Sequence, residues 1–143
     1  DRGMIGTPVG ATAAMRARGP EPWHPNPGFF YLPGGGPMLD MGPYYVTQLV
    51  NLLGPVRRLA GLSRITFAER PVALTNAAYY GERKPDSPDL LPVSTATHLA
   101  GLLEFENGAI GELATSFDSY SEWPSHPITI YGSEGTMKVP DPN

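Results

Sequence analysis

The sequence predicts an α+β domain, a mostly antiparallel open sheet with helices on one face. Strand-like stretches far outnumber the single helical one, and the dipeptide Asn107-Gly108 between two of them is a strong hairpin signal. No helix recurs between successive strands, as a doubly wound parallel sheet would require. With 143 residues the chain is the size of one domain, able to bury roughly two thirds of its unfolded surface. Gly and Pro, 17 of each, imply many turns, while 41% hydrophobic content supplies enough apolar surface to offset the entropy of ordering.

From Val9 to Ala17 the odd positions Val9, Ala11, Ala13, Met15 and Ala17 are apolar, and Thr12, Arg16 and Arg18 fall on the other parity. That is the period of a strand with one wet face. Residues 19–37 hold six prolines and five glycines, so neither a helix nor a ladder strand is expected to persist. Loops this long inside a compact domain are usually functional or disordered, and Trp23, His24, Phe29, Phe30 and Tyr31 favour function.

Between Pro37 and Leu53, the residues Leu39, Val46, Leu49, Val50, Leu52 and Leu53 recur at helical spacing before Gly54-Pro55. This predicts one amphipathic helix, with a left-handed cap at Gly54 and an early turn or kink at Pro43. Val56–Phe67 and Val72–Tyr80 read as strands separated by Glu69-Arg70-Pro71, and residues 81–92 as a Pro- and charge-rich loop. His98–Phe105 and Ile110–Phe117 flank Asn107-Gly108, which in a type I′ turn take positive φ at both positions. Ile128–Tyr131 and Met137–Val139, around Gly132-Ser133-Glu134-Gly135, read as a second hairpin.

A net charge of −4, with basic residues in isolated pairs such as Arg57-Arg58 and Arg83-Lys84, argues against nucleic acid as a partner. The absence of cysteine excludes disulfides and thiolate metal sites, and no 18-residue apolar run suggests a membrane span. The three histidines lack ligand spacing, so no metal site is expected. Starting at Asp1 and ending at Asn143, the chain reads as a piece of a longer, cytoplasmic polypeptide.

Chemistry concentrates in Gly34-Gly35-Gly36-Pro37-Met38-Leu39-Asp40-Met41-Gly42-Pro43-Tyr44-Tyr45. On one helix Asp40 and Tyr44, four apart, project from the same face with Cβ atoms about 5–6 Å apart. The glycines let other groups approach the backbone where the helix begins. On spacing alone a plainer reading stays open, in which Asp40 caps the helix and Tyr44 packs as amphipathic core. Trp23 and His24 suit a carbohydrate face or anchor their loop, and Tyr45 is grouped with them as a substrate contact. His126 either reaches the site from the far hairpin or lies exposed in its loop. Arg57-Arg58 and Glu69-Arg70 read as solvated strand-end charges.

The run GGGPMLDMGPYYVTQLVNLLGPV is preceded by PWHPNPGFFY and followed by THLAGLLEFENGAIGELATSFD and ITIYGSEGTMKVPDPN. Together these blocks resemble the C-terminal domain of the glucose–fructose oxidoreductase, inositol dehydrogenase and MocA family over nearly the whole chain. The family pattern Asp-x-Gly-x-His/Tyr matches Asp40, Gly42 and Tyr44, and implies that Tyr44 is the acid/base for the substrate hydroxyl, assisted by Asp40. It further implies a sugar or polyol substrate and NAD or NADP, bound mainly by an N-terminal Rossmann domain. That domain carries a Glu-Lys-Pro motif, and neither is present in this sequence. The glycine triplet is no substitute, because it follows a proline-rich loop and Leu39 stands where a dinucleotide fingerprint needs its last glycine. A phenol of ordinary pKa, about 10, is ionised to roughly one part in a thousand at pH 7, so the resemblance gives the absent Lys the task of lowering it. The fragment alone is therefore expected to be inactive. The resemblance also implies a homo-oligomer through the open sheet face. The alternative reading is a redox-dead homologue that binds a ligand or serves oligomerisation.

Overall fold

The computed structural model describes residues 3–24, 26–71, 90–121 and 126–143. Along the chain come β1 (Pro8–Arg16), a 3-10 helix (Pro27–Tyr31), α1 (Pro37–Asp40), α2 (Gly42–Leu53), β2 (Val56–Arg64) and β3 (Glu69–Pro71). Then follow β4 (Leu90–Pro92), β5 (His98–Phe105), β6 (Ile110–Ser116), β7 (Ile128–Gly132) and β8 (Thr136–Val139). Six strands form one sheet in the order β2-β5-β6-β1-β7-β8, and β3 pairs with β4 separately. Every neighbouring pair in the large sheet is antiparallel except β1 with β6. The fold is thus α+β with a mostly antiparallel sheet, and its one parallel pair arises because β1 enters between the β5–β6 and β7–β8 hairpins.

The core lies on the helix side of this sheet. Ala11, Ala13 and Met15 of β1 are buried there beside Leu113 of β6 and Ile128 and Ile130 of β7. From α2, Tyr45, Leu49 and Leu53 meet them, one stripe spaced by four residues. The small alanines of β1 leave room for the larger side chains of α2. On the other face Thr12, Ala14, Ala60, Leu62, Ala100, Leu102, Glu112 and Ala114 line a broad open concavity. Edge strand β2 is exposed on both faces, with Leu59 on one and Leu62 on the other.

Several expectations need correction. The single helix over 37–53 is two, because Pro43 has no N–H to donate to the carbonyl of Leu39. The ladder resumes with Tyr44 N–H donating to the Met41 carbonyl at 3.1 Å. At the β5–β6 turn Asn107 keeps negative φ, and only Gly108, at φ 88°, is positive. Gly108 N–H donates to Phe105 O at 3.0 Å and Phe105 N–H to Ala109 O at 2.9 Å, a three-residue loop closed by a left-handed glycine rather than type I′. Asn107 instead donates through Nδ2 to the Leu53 carbonyl at 2.9 Å and accepts from Ala109 N–H, capping α2 from the β5–β6 turn. Glu69–Pro71 is a short strand, not a separator. The strand expected over Val72–Tyr80 lies outside the described residues, as does 81–89 of the expected loop, whose last residues form β4.

Candidate active site

Beyond β1 the chain turns sharply, and the N–H groups of Trp23 and His24 both donate to the Pro20 carbonyl, at 3.1 and 2.8 Å. His24 is thereby set among rings. Its centroid lies 5.4 Å from Trp23, 5.2 Å from Phe29 and 5.0 Å from Phe30, each edge-on. Asn26 N–H donates to His24 Nδ1 at 3.0 Å, which makes Nδ1 the acceptor and places the proton of the neutral ring on Nε2.

The glycines bring α1 down onto this aromatic turn. Gly36 N–H donates to the Phe30 carbonyl at 2.6 Å. A Cβ on Gly35 would lie 2.6 Å from Phe29 O, and one on Gly36 2.8 Å from Ala96 O. Gly36 also has φ 86° and ψ 162°, a region open essentially to glycine alone. Asp40, the last residue of α1, thereby lies within electrostatic reach of His24. Partial burial raises its carboxyl above the ordinary carboxylate range, and the neighbouring His24 pulls it the other way. Because carbonyl oxygens fill the space beside Gly35 and Gly36, the triplet offers no cradle to a dinucleotide pyrophosphate. Residues present here do not fit that part of NAD or NADP.

Tyr44 stands one turn beyond Asp40 across the helix break, where Met41 keeps right-handed helical angles (φ −102°, ψ −30°). Its side chain is 45% exposed, and that of Trp23 is 62% exposed. Trp23 and His24 thus share an edge-on ring contact, His24 lies within electrostatic reach of the Asp40 carboxyl, and Tyr44, on the next helix, is exposed. Tyr45 is not among them. Fully buried, it belongs to the core stripe of α2, and burial followed by the nearby Asp141 carboxylate pushes its phenol up. Position 45 of a helix whose residues 49 and 53 are buried must point inward, so its assignment as a substrate contact is corrected. His126 is exposed just before β7, and the adjacent Pro127 carbonyl accepts from Ala14 N–H at 3.1 Å, which places it at the end of the sheet from which the Trp23–His24 loop departs. Among the described residues no cluster of His, Cys, Asp and Glu could hold a metal, and no helix is long and apolar enough to cross a membrane.

The sequence reading missed a buried polar network beneath the loop. Arg70, expected to be solvated, is 9% exposed and bonds Glu21 and Asp118, while Tyr31 donates to Glu21 at 2.5 Å. Its partners are scattered along the chain, so no local pattern announces them.

Residues 1–138 match the family model described as the GFO/IDH/MocA C-terminal domain. The chain belongs to the GFO/IDH/MocA family. No curated protein matches it. Among solved structures, an NAD binding oxidoreductase from Klebsiella pneumoniae superposes with a TM-score of 0.72 at 23% identity, over 98% of this chain and 35% of that one. Levoglucosan dehydrogenase in complex with NADH and L-sorbose gives 0.70 at 18% identity, over 94% and 34%. An oxidoreductase from Agrobacterium radiobacter gives 0.61 at 18%, over 97% and 34%. This GFO/IDH/MocA domain thus spans about a third of the length of those proteins, and at such identities the likeness is one of fold.

Proposed function

We propose that this chain is the substrate-side domain of an NAD- or NADP-dependent oxidoreductase acting on a sugar, polyol or related secondary alcohol, inactive without its nucleotide-binding half. The observation that supports the reading is the Trp23–His24 ring pair within electrostatic reach of Asp40, the exposed phenol of Tyr44 following on the next helix. An apolar ring edge next to a carboxylate, an imidazole N–H and a phenol suits a polyhydroxylated ligand. Family membership and the levoglucosan dehydrogenase neighbour support a sugar-like substrate.

In this reading Tyr44 Oη is the group that takes the proton from the substrate hydroxyl as that carbon is oxidised, and returns it in the reverse direction. Asp40, half-buried and raised in pKa, accepts a hydrogen bond from a neighbouring hydroxyl and orients the ring. His24 donates through Nε2, its tautomer fixed by Asn26. Trp23 packs against the apolar face of the substrate, and His126 contributes from the β7 end. NAD or NADP, held by the other domain, supplies the two-electron acceptor when bound. Dependence on such a cofactor suits the cytoplasm.

The open sheet face is assigned to a second copy of the chain. Its alanines flanked by Leu62 and Leu102 form a broad apolar surface that another sheet can cover.

The full-length protein, assayed with NAD⁺ and NADP⁺ against a panel of sugars and polyols, should turn over, and residues 1–143 alone should not. A full-length protein that binds a sugar without any turnover would instead establish the redox-dead, ligand-binding alternative.

A further inference from the structure

We propose that Arg70 is a positioning residue for the loop that carries Trp23 and His24, an inference that rests on the function proposed above. Arg70 lies on β3, outside the main sheet, yet its guanidinium is the point where three segments meet. Nε donates to Glu21 Oε1 at 2.7 Å and Nη1 to Asp118 Oδ1 at 2.6 Å. Nη2 donates to the carbonyls of Arg18 and Phe117, the latter at 3.2 Å. The remaining carboxylate oxygens are taken as well, Glu21 Oε2 by the Tyr31 hydroxyl at 2.5 Å and Asp118 Oδ2 by Thr97 Oγ1 at 2.6 Å.

Glu21 and Tyr31 bracket the substrate loop. Their mutual hydrogen bond closes the stretch holding Trp23, His24, Phe29 and Phe30, and Arg70 fastens that closure to the residues leaving β6. Burial and the Glu21 carboxylate push the Tyr31 phenol far above its ordinary range, so it stays a donor at every working pH. Packing at the base is close, since a Cβ on Gly19 would collide with Glu21, Tyr31 and Arg70 together. Buried ion pairs are poor sources of net stability, and the role assigned to this one is to fix the geometry of the loop. The planar guanidinium reaches two carboxylates and two carbonyls at once, which an ammonium cannot.

The test compares Arg70→Lys, His24→Ala and the double variant in the full-length enzyme, alongside Tyr44→Phe. Arg70→Lys should raise KM for the sugar or polyol roughly ten- to a hundred-fold, the scale of a small misplacement of a binding group. Kd for NAD(P)H, bound elsewhere, should stay unchanged. In the double variant the loss in kcat/KM should match that of the worse single variant rather than the product of both, because Arg70 acts through the loop. Should Arg70→Lys fail to fold, Glu21→Gln, which keeps the shape and removes the charge, reads the same link through the same KM shift. An unchanged KM, or losses that multiply independently, overturns the inference. If Tyr44→Phe is inactive while Arg70→Lys keeps a normal KM, this inference alone fails. If Tyr44→Phe turns over normally, the proposed function fails first.

Discussion

The N–H of Gly36 donates to the carbonyl of Phe30 at 2.6 Å, and this bond seats the start of α1 on the aromatic turn. It thereby helps to hold Asp40 near His24. Gly36→Ala should therefore be severe, because a backbone region reserved for glycine coincides with a Cβ only 2.8 Å from Ala96 O. A loss of about 2–3 kcal/mol is expected by chemical denaturation. Gly34→Ala, also at positive φ but with nothing within 4 Å of its Cβ, should cost clearly less. Equal losses would show that close packing at Gly36 is unimportant.

Asp40 gives a pH-dependent signature. Burial raises its folded-state pKa above the unfolded value of 3.8, so between the two the folded chain binds more protons. Stability then falls as pH rises through that window, and at neutral pH the ionised carboxylate is a net cost. Asp40→Asn should raise Tm at pH 7, an advantage that fades as pH falls to the unfolded carboxyl's range, while catalytic efficiency drops. A variant less stable at neutral pH would mark Asp40 as a stabilising cap instead.

Much of the scaffold was legible because it is local. The odd-position apolar pattern of β1 gives the buried face Ala11, Ala13 and Met15, and the bounds of β5 coincide with the stretch His98–Phe105. The turn at Asn107-Gly108 was legible as a turn but not by type, because Asn107 bonds to Leu53, 54 residues away, and that tertiary contact outweighs the dipeptide's preference. Arg70 was misread for the same reason, with partners 49 and 48 positions distant. In the candidate site, spacing singles out Asp40 and Tyr44 but not the helix break that separates them. The proximity of His24 to Asp40 is not legible there, since it depends on how the glycine triplet folds back.

The open face makes its own prediction. Leu102 sits opposite both Ala60 and Glu112 in the register of β2, β5 and β6. Leu102→Glu sets a second carboxylate beside Glu112 in the centre of the proposed contact, where like charges repel. Sedimentation velocity should show the full-length protein shifting to smaller species with its circular dichroism intact. An unaltered assembly would move the subunit contact elsewhere.

The direct test of the central claim is the turnover of Tyr44→Phe in the full-length enzyme with substrate and cofactor saturating. Loss of the phenol oxygen should lower kcat by roughly 10²–10⁴-fold, the usual share of a general acid/base, with NAD(P)H affinity unchanged. A kcat equal to that of the unaltered enzyme would contradict the assignment.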